Sequence, residues 1–502
     1  MGEERRKNTV VLIAFYNRKA LGVRYLETAL RNSGYWVKTI FYKDFNSIHP
    51  SKTTEQELAL LLGEIRACAP FLIGLSVMSS MYLDTVHAVM ETIRGAFGTP
   101  IVCGGAFATM FPEHFLQRGA DFVIRSDGEQ AICRLAHALC HGEDRAGIPS
   151  LCYQEGENIV YNEIGGISVN LDEYGLPAVT SADACLIEQN TLTRGDPQKN
   201  TRSYEVVASR GCPFTCSYCC CVNLRRLLPQ GTKAVRIRSV ASIIEELKLA
   251  KCSCRKLAFI HFYDEIFPNQ PGWLDEFVTQ YKTHIHMPFT IWSHPKMMDL
   301  DMLRKLKTAG LMEVIMGIQS GSTRIRRDVF HRYETQEEIL KAVHTIRQAG
   351  IFWSSFDFML QHPFETLADL QDTYWLVKQL PSPYELQLHG LNFLPGTDIV
   401  PMAIEQGYFT QSEMDAILYA PMEVQFGTYW QRETSPESRL WYEMIYCRQF
   451  ALFRPRLDRM EKDPLSHEKE IHRLYQIGRR MAKARYLYKK GYIVYRRLAS
   501  TQ

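Results

Sequence analysis

Three thiols fall on one short segment of the chain, Ser209-Arg210-Gly211-Cys212-Pro213-Phe214-Thr215-Cys216-Ser217-Tyr218-Cys219. Thiolates spaced CxxxCxxC on a single loop can each take one iron of a cubane and leave the fourth iron open to a ligand that is not protein. Two other readings of Cys212, Cys216 and Cys219 stand beside it: a zinc site, which prefers four protein donors, and a reduced cluster of structural thiols. Cys220 and Cys221 follow directly, but their adjacency to Cys219 makes simultaneous ligation awkward. Fourteen cysteines in a reducing compartment favour metal or redox chemistry over disulfides.

The elements that must position this loop are read from periodicity. From Tyr204 onward, strands are expected at Tyr204–Ser209, Leu257–Phe262, Phe289–Trp292, Glu313–Ile318, Trp353–Met359 and Glu385–Leu394, separated by helical stretches such as Val240–Ala250 and Gln336–Ala349. Six such units suit a partial parallel barrel whose working face lies at the strand C-termini. The same alternation runs from Thr9 to His141 and predicts a doubly wound parallel sheet, with ligands beyond the carboxyl ends of its strands. Ser76–Ser80, Gly104–Gly105 and Ser126–Glu129 fall there. The chain is therefore α/β, divided as a Rossmann-like unit over 1–147, a Gly/Pro-broken linker with some short strands over 148–200, a barrel over 201–400 and a helical basic region over 401–502.

Of 502 residues, 46% are hydrophobic and 23% charged, which excludes a disordered or collagen-like chain. No apolar run approaches the length of a membrane span. The charged N-terminus, Met1 to Lys7, does not read as a signal peptide, and Arg6 breaks the myristoylation pattern despite Gly2, so a cytoplasmic location is expected. The net charge of +3 hides an asymmetry: Arg448 to Gln502 holds fifteen Lys/Arg against five Asp/Glu. That tail reads as a solvated helical face, or as a contact for an anionic surface. Nucleic acid is not an expected partner.

The cysteine loop, its place after a first strand and the motifs that follow resemble the radical S-adenosylmethionine (radical SAM) superfamily. The resemblance implies a 4Fe–4S cluster on Cys212, Cys216 and Cys219, an open iron binding S-adenosylmethionine, and one-electron cleavage to a 5′-deoxyadenosyl radical. It places Tyr218 near the adenine and makes Asp264 and Glu265, in Phe262-Tyr263-Asp264-Glu265-Ile266-Phe267, candidates for the methionine ammonium. Met316-Gly317-Ile318-Gln319-Ser320-Gly321-Ser322 resembles the family's Gly-Ile-Glu-Ser-Gly-Ser segment, with Gln319 in place of the acid. A neutral amide still hydrogen-bonds a ribose or amino group but balances no charge. Arg332 sits near the family's basic residue for the cofactor carboxylate. Gln361-His362-Pro363-Phe364-Glu365-Thr366 and Pro395-Gly396-Thr397 resemble later family turns, the first with both glycines replaced.

A doubly wound domain ahead of such a barrel is similar to the cobalamin-binding domain of a large subfamily. Cys103-Gly104-Gly105-Ala106-Phe107-Ala108-Thr109 resembles its Gly-Gly-Pro-His-Ala-Thr, and Asp127-Gly128-Glu129 its Gly-Glu-Gly-Glu. Glycines there would let backbone approach the nucleotide tail, with Ser76, Ser79 and Ser80 on its polar edge. Asn17-Arg18-Lys19-Ala20-Leu21-Gly22 contains no His, so the cobalt would be bound without a protein imidazole. The function implied is a cobalamin-dependent radical SAM enzyme, a methyltransferase acting on a poorly activated carbon or phosphorus of a small molecule and drawing electrons from a flavodoxin or ferredoxin. Its rivals are a cyclase or oxygenase using the same cofactors, like the oxygen-independent porphyrin cyclases, and a non-catalytic corrinoid or redox sensor.

Overall fold

The computed structural model describes residues 8–46, 50–351, 353–425 and 435–499; Met1 to Lys7 lie outside them. Strands β1 (Thr9–Phe15), β2 (Trp36–Tyr42), β3 (Leu72–Ser76), β4 (Ile101–Gly104) and β5 (Phe122–Ile124) are parallel and form the centre of a nine-stranded sheet. Every residue of β1 is buried, as a strand covered on both faces requires. Helices α1 (Leu21–Asn32) and α2 (Glu129–His141) pack on one face, and Glu55–Cys68 and Leu83–Ala96 on the other.

The stretch 148–200, expected as a linker with some short strands, places those strands along both edges of this sheet. Strands β6 (Leu151–Glu155) and β7 (Asn158–Tyr161) run antiparallel beyond β5, while β8 (Ala184–Glu188) pairs with β2 and carries β9 (Thr191–Arg194). These strands are short and Gly-bounded, so their pairing becomes legible only once a sheet edge exists to take them.

The second sheet contains β10 (Ser203–Val206), then, after the two-residue hairpin strands β11 (Ser209–Arg210) and β12 (Arg236–Ile237), β13 (Phe259–Phe262), β14 (Phe289–Ser293), β15 (Leu311–Gln319), β16 (Trp353–Met359) and β17 (Glu385–His389). Its six strands, β10-β13-β14-β15-β16-β17, are all parallel. On β16 the fully buried Phe356 and Phe358 face the surrounding helices, and Ser355 and Asp357 alternate with them toward the barrel interior. The last strand ends at His389, short of the expected Leu394. Beyond it the chain turns so that a Cβ on Gly396 would lie 3.2 Å from Phe111 of the first domain.

One buried ion pair ties the 148–200 stretch to the first domain, and a second pair joins the halves. Arg24 of α1 and Asp196 form a fully buried ion pair at 2.6 Å, and Lys19, in the loop after β1, reaches Glu205 of β10 at 2.6 Å. At the opposite end of the barrel, helix α3 (Cys220–Arg226) aside, the C-terminal helices α4 (Pro436–Cys447) and α5 (Glu468–Ala499) close the strand N-termini. Ile471 and Leu474 of α5 join the barrel core, Lys489 pairs with Glu313 near the start of β15, and Tyr492 packs edge-on to Trp353 at 5.0 Å. Arg485 lies 3.6 Å from Glu385. Part of the tail's positive charge is thus committed to carboxylates at the barrel floor.

Candidate active site

Cys212, Cys216 and Cys219 stand on the loop that leaves β11, at the open end of the barrel. Gly211 has a φ of 98°, and a Cβ there would come to 2.1 Å from the Ala234 carbonyl oxygen, so only glycine lets the chain enter this loop. The loop is tied down by the Ser217 N–H on the Phe330 carbonyl (3.1 Å), the Ser217 hydroxyl on the Val329 carbonyl (2.5 Å) and Arg225 on the Cys212 carbonyl (2.7 Å). Burial first, then the nearby Glu265 carboxylate and the Cys216 and Cys219 sulfurs, pushes the Cys212 thiol up to about 11 against a backbone hydrogen bond at Phe214. Such thiols ionise only with a cation to hold them, as iron or zinc does. Among the described residues, no three His, Cys, Asp or Glu side chains converge to hold one single metal ion; in a cubane each thiolate takes a different iron.

The structure splits the two adjacent acids. Asp264 is buried and accepts hydrogen bonds from the Ala208 N–H (2.9 Å), the Ser209 N–H (2.6 Å) and the Ser209 hydroxyl (2.6 Å). Its carboxylate pins the strand end ahead of the cysteine loop through Oδ1, while Oδ2 shares only the Ala208 N–H at 3.2 Å, so its first role is this backbone clamp and not the expected contact with a cofactor ammonium. Burial raises its carboxyl to about 7 against those hydrogen bonds. Glu265, one residue on, is exposed and faces the interdomain cavity close to Cys212 and Cys221.

Around Gly317 the later motifs come together. Gln319, at φ 71°, folds its amide over Gly317, where a Cβ would meet Nε2 at 2.4 Å. Arg332 is buried and donates to the Gly317 carbonyl (2.7 Å), to Glu334 (2.6 Å) and to the Tyr218 hydroxyl (3.3 Å). Tyr218 packs edge-on to Phe330 at 5.2 Å. Ser320 is fully buried, its hydroxyl accepting the Ser322 N–H at 3.1 Å, so it shapes the turn and faces no open space. Sequence reasoning missed Glu334, which also lies 3.4 Å from His294, and the stacking of His294 on Phe214 of the cysteine loop at 3.8 Å. An acid two residues after Arg332 was the available signal.

Between the two sheets lies a cavity of about 440 Å³. Ser76, Gly104, Gly105, Gly128 and Glu129 wall it from the first domain, Arg210, Cys221 and Glu265 from the barrel, and it reaches down between the strands to Leu12, Gly74 and Ile132. A Cβ on Gly104 would find nothing nearer than 3.8 Å, whereas one on Gly105, at φ 99°, would lie 2.6 Å from the Val77 carbonyl oxygen. Gly104 keeps the wall open, and Gly105 serves the turn. Ser79 is not part of the wall; its hydroxyl accepts the Met81 N–H at 3.2 Å and caps the turn Ser80–Tyr82. Glu129 pairs with Arg210 at 2.6 Å, and the guanidinium lies over the rings of Tyr25 (4.9 Å) and Tyr174 (4.8 Å).

With this geometry in place, the comparisons with known proteins agree in two parts. Residues 9–136 match the B12 binding domain, and residues 206–377 match the radical SAM superfamily. The chain belongs to the cobalamin-binding radical SAM family and is a radical SAM enzyme; its cofactors are a 4Fe–4S cluster, S-adenosylmethionine and cobalamin. It is 25% identical over 345 residues to an uncharacterised methyltransferase of Pyrococcus horikoshii, covering 68% of this chain and 71% of that one. It is 23% identical over 382 residues to the anaerobic magnesium-protoporphyrin IX monomethyl ester cyclase of Cereibacter sphaeroides, covering 70% and 55%. The cobalamin-dependent S-adenosylmethionine radical enzyme OxsB, solved with aqua-cobalamin bound, shares the fold, with a TM-score of 0.64 at 14% identity over 96% of this chain and 81% of that one.

The cavity fits a bulky group seated on the first domain, since it runs from the strand crest into the core and Gly104 leaves its wall clear, whereas the space over Gly74 is taken by Leu12. A Gly104→Leu variant is expected to bind cobalamin roughly fivefold to a hundredfold more weakly, because overpacking a fitted site costs about 1–3 kcal/mol. Iron content should not change. Cobalt and iron per chain, measured on the same sample, check both halves of this expectation.

Proposed function

We propose that this enzyme transfers a methyl group to a poorly activated carbon, or to phosphorus, of a small molecule held where the crest of the first domain faces the cysteine loop. The observation that carries this reading is the shared cavity: Gly104 and Gly128 on one wall stand opposite Arg210, Cys221 and Glu265 on the other. A group bound to the first domain therefore faces one bound at the loop. The relative named as a methyltransferase aligns over 71% of its length, against 55% for the cyclase, which supports methylation over ring formation.

Cys212, Cys216 and Cys219 would hold the cluster, and Glu265, with its carboxylate free of the bonds that occupy Asp264, would meet the ammonium of S-adenosylmethionine. Tyr218, Gln319 and Arg332, gathered at Gly317, would line the rest of that cofactor, with Ser320 holding the turn that presents Gln319. Ser76, Gly104, Gly128 and Glu129 would border the cobalamin. When bound, the cluster supplies the electron that cleaves S-adenosylmethionine, and the cobalamin supplies a methyl carrier. The chain's own part is placement: Asp264 fixes the backbone at Ala208 and Ser209, Arg332 orients the Tyr218 hydroxyl, and the walls keep water from the reacting groups. A flavodoxin or ferredoxin would deliver the electron.

The test uses the holoenzyme without oxygen, with reductant, methyl-labelled S-adenosylmethionine and a small-molecule extract. Methylation yields labelled product, with S-adenosylhomocysteine and 5′-deoxyadenosine formed together. Formation of 5′-deoxyadenosine with the label recovered only in methionine, and with no S-adenosylhomocysteine, would overturn it in favour of the ring-forming or oxygenating reading.

A further inference from the structure

Helix α5 carries no Asp or Glu after Glu470. One side of it is committed to the barrel through Ile471, Leu474, Lys489 and Tyr492. The side adjoining it holds Ile477, Met481, Ala484, Tyr488, Gly491 and Tyr495, at intervals of four and three residues, which places them on a single stripe. The stripe opens to solvent toward the end of the helix, where Tyr488 is 63% and Tyr495 64% exposed against 37% for Ile477 and Met481, and Leu487, 59% exposed, stands between it and the outward cations. Arg473, Arg480, Lys483 and Lys490 are exposed along its flank.

We propose that this face lays the enzyme against an anionic lipid bilayer, with Leu487 and Tyr488 entering the boundary between headgroups and acyl chains and the flanking cations on the headgroups. Three observations select this occupant. The sector pairs a contiguous apolar stripe with a basic band, the pattern that partitions to a membrane interface. Its two most exposed large side chains are Tyr488 and Tyr495, whose rings suit headgroup depth. Its charge has one sign over the helix's last twenty-nine residues, so a second copy of the same face would be repelled and an anionic surface attracted. The helix lies on the surface and does not cross it, since no helix among the described residues is long and apolar enough to span a membrane.

The inference does not rest on methyl transfer, because vesicle flotation reads no turnover. The full chain, loaded with its cofactors, is floated with phosphatidylcholine vesicles containing phosphatidylglycerol and with pure phosphatidylcholine. Binding is expected only to the anionic vesicles, and to fall as salt is raised. The Arg480→Gln/Lys483→Gln/Lys490→Gln variant should bind about a hundredfold more weakly, at roughly fivefold per cation removed. Leu487→Ser/Tyr488→Ser should also release the protein, with iron and cobalt per chain unchanged in both as the check on folding. Equal binding to neutral vesicles, no binding, or binding that neither variant weakens overturns the proposal. So does a dimer seen by light scattering that Leu487→Ser/Tyr488→Ser abolishes, which would assign the stripe to a second copy.

Discussion

Cys212→Ala is expected to lower bound iron from about four atoms per chain to near zero and to take 5′-deoxyadenosine formation to background, while cobalt content holds. The first effect follows from the chemistry of the loop. Cys212, Cys216 and Cys219 are buried or half-buried thiols on a segment fixed at Gly211 and Ser217, and a cubane held by two thiolates has two irons without protein ligands. The second follows from position, since none of the three cysteines lines the interdomain cavity and Cys221 does. Cys220→Ala and Cys221→Ala provide the contrast and should retain the iron. Iron analysis with the cluster's visible absorption decides the matter, and a Cys212→Ala protein that keeps its iron would remove the cluster from this loop.

Arg210→Met is expected to loosen the two domains and reduce bound cobalamin together. Arg210 sits two residues before Cys212, yet its guanidinium lies in the first domain's surface, paired with Glu129 at 2.6 Å and Asp127 at 3.3 Å and stacked on Tyr25 and Tyr174. Burial alone would raise the Asp127 carboxyl, but Arg210 and Arg236 outweigh it and hold the group below its ordinary range. Methionine leaves Asp127 with Arg236 at 2.7 Å but strands the buried Glu129, at a cost on the order of 3 kcal/mol. Arg210→Lys restores the charge without the fork or the stacking and should recover only part of the loss. Thermal unfolding and cobalt per chain read the result; unchanged values for Arg210→Met would show that the domains dock through other contacts.

Local patterns carried much of this. The cysteine spacing, the alternation of apolar strands with amphipathic helices and the glycines at Gly104 and Gly128 are properties of a few neighbouring residues, so they can be read before the chain is folded. Other assignments depended on which way a side chain turns. Asp264 and Glu265 are chemically alike and adjacent, and only the backbone N–H groups of Ala208 and Ser209, more than fifty residues earlier, divide them into a buried clamp and an open carboxylate. Gly104 and Gly105 read as one motif, but the Val77 carbonyl makes one a turn and leaves the other a wall. Ser79 reads as a contact and is a cap. Short strands were legible between 151 and 194, but their place on the edges of the first sheet was not, because four- and five-residue strands show little periodicity to say which neighbour pairs them.

The basic tail shows the same division. Its charge and helical period are in the sequence, but Arg485 and Lys489 point into the barrel floor while Arg480, Lys483 and Lys490 face solvent, a choice set by how α5 packs. By itself, then, the sequence determined that this chain has a three-thiol loop on a parallel barrel and a second α/β domain ahead of it, because ligand identity and local periodicity are short-range. The tertiary structure alone decided that the two face one cavity, because that depends on pairs such as Arg210 and Glu129, which lie eighty-one residues apart in the chain and meet only when both sheets have formed.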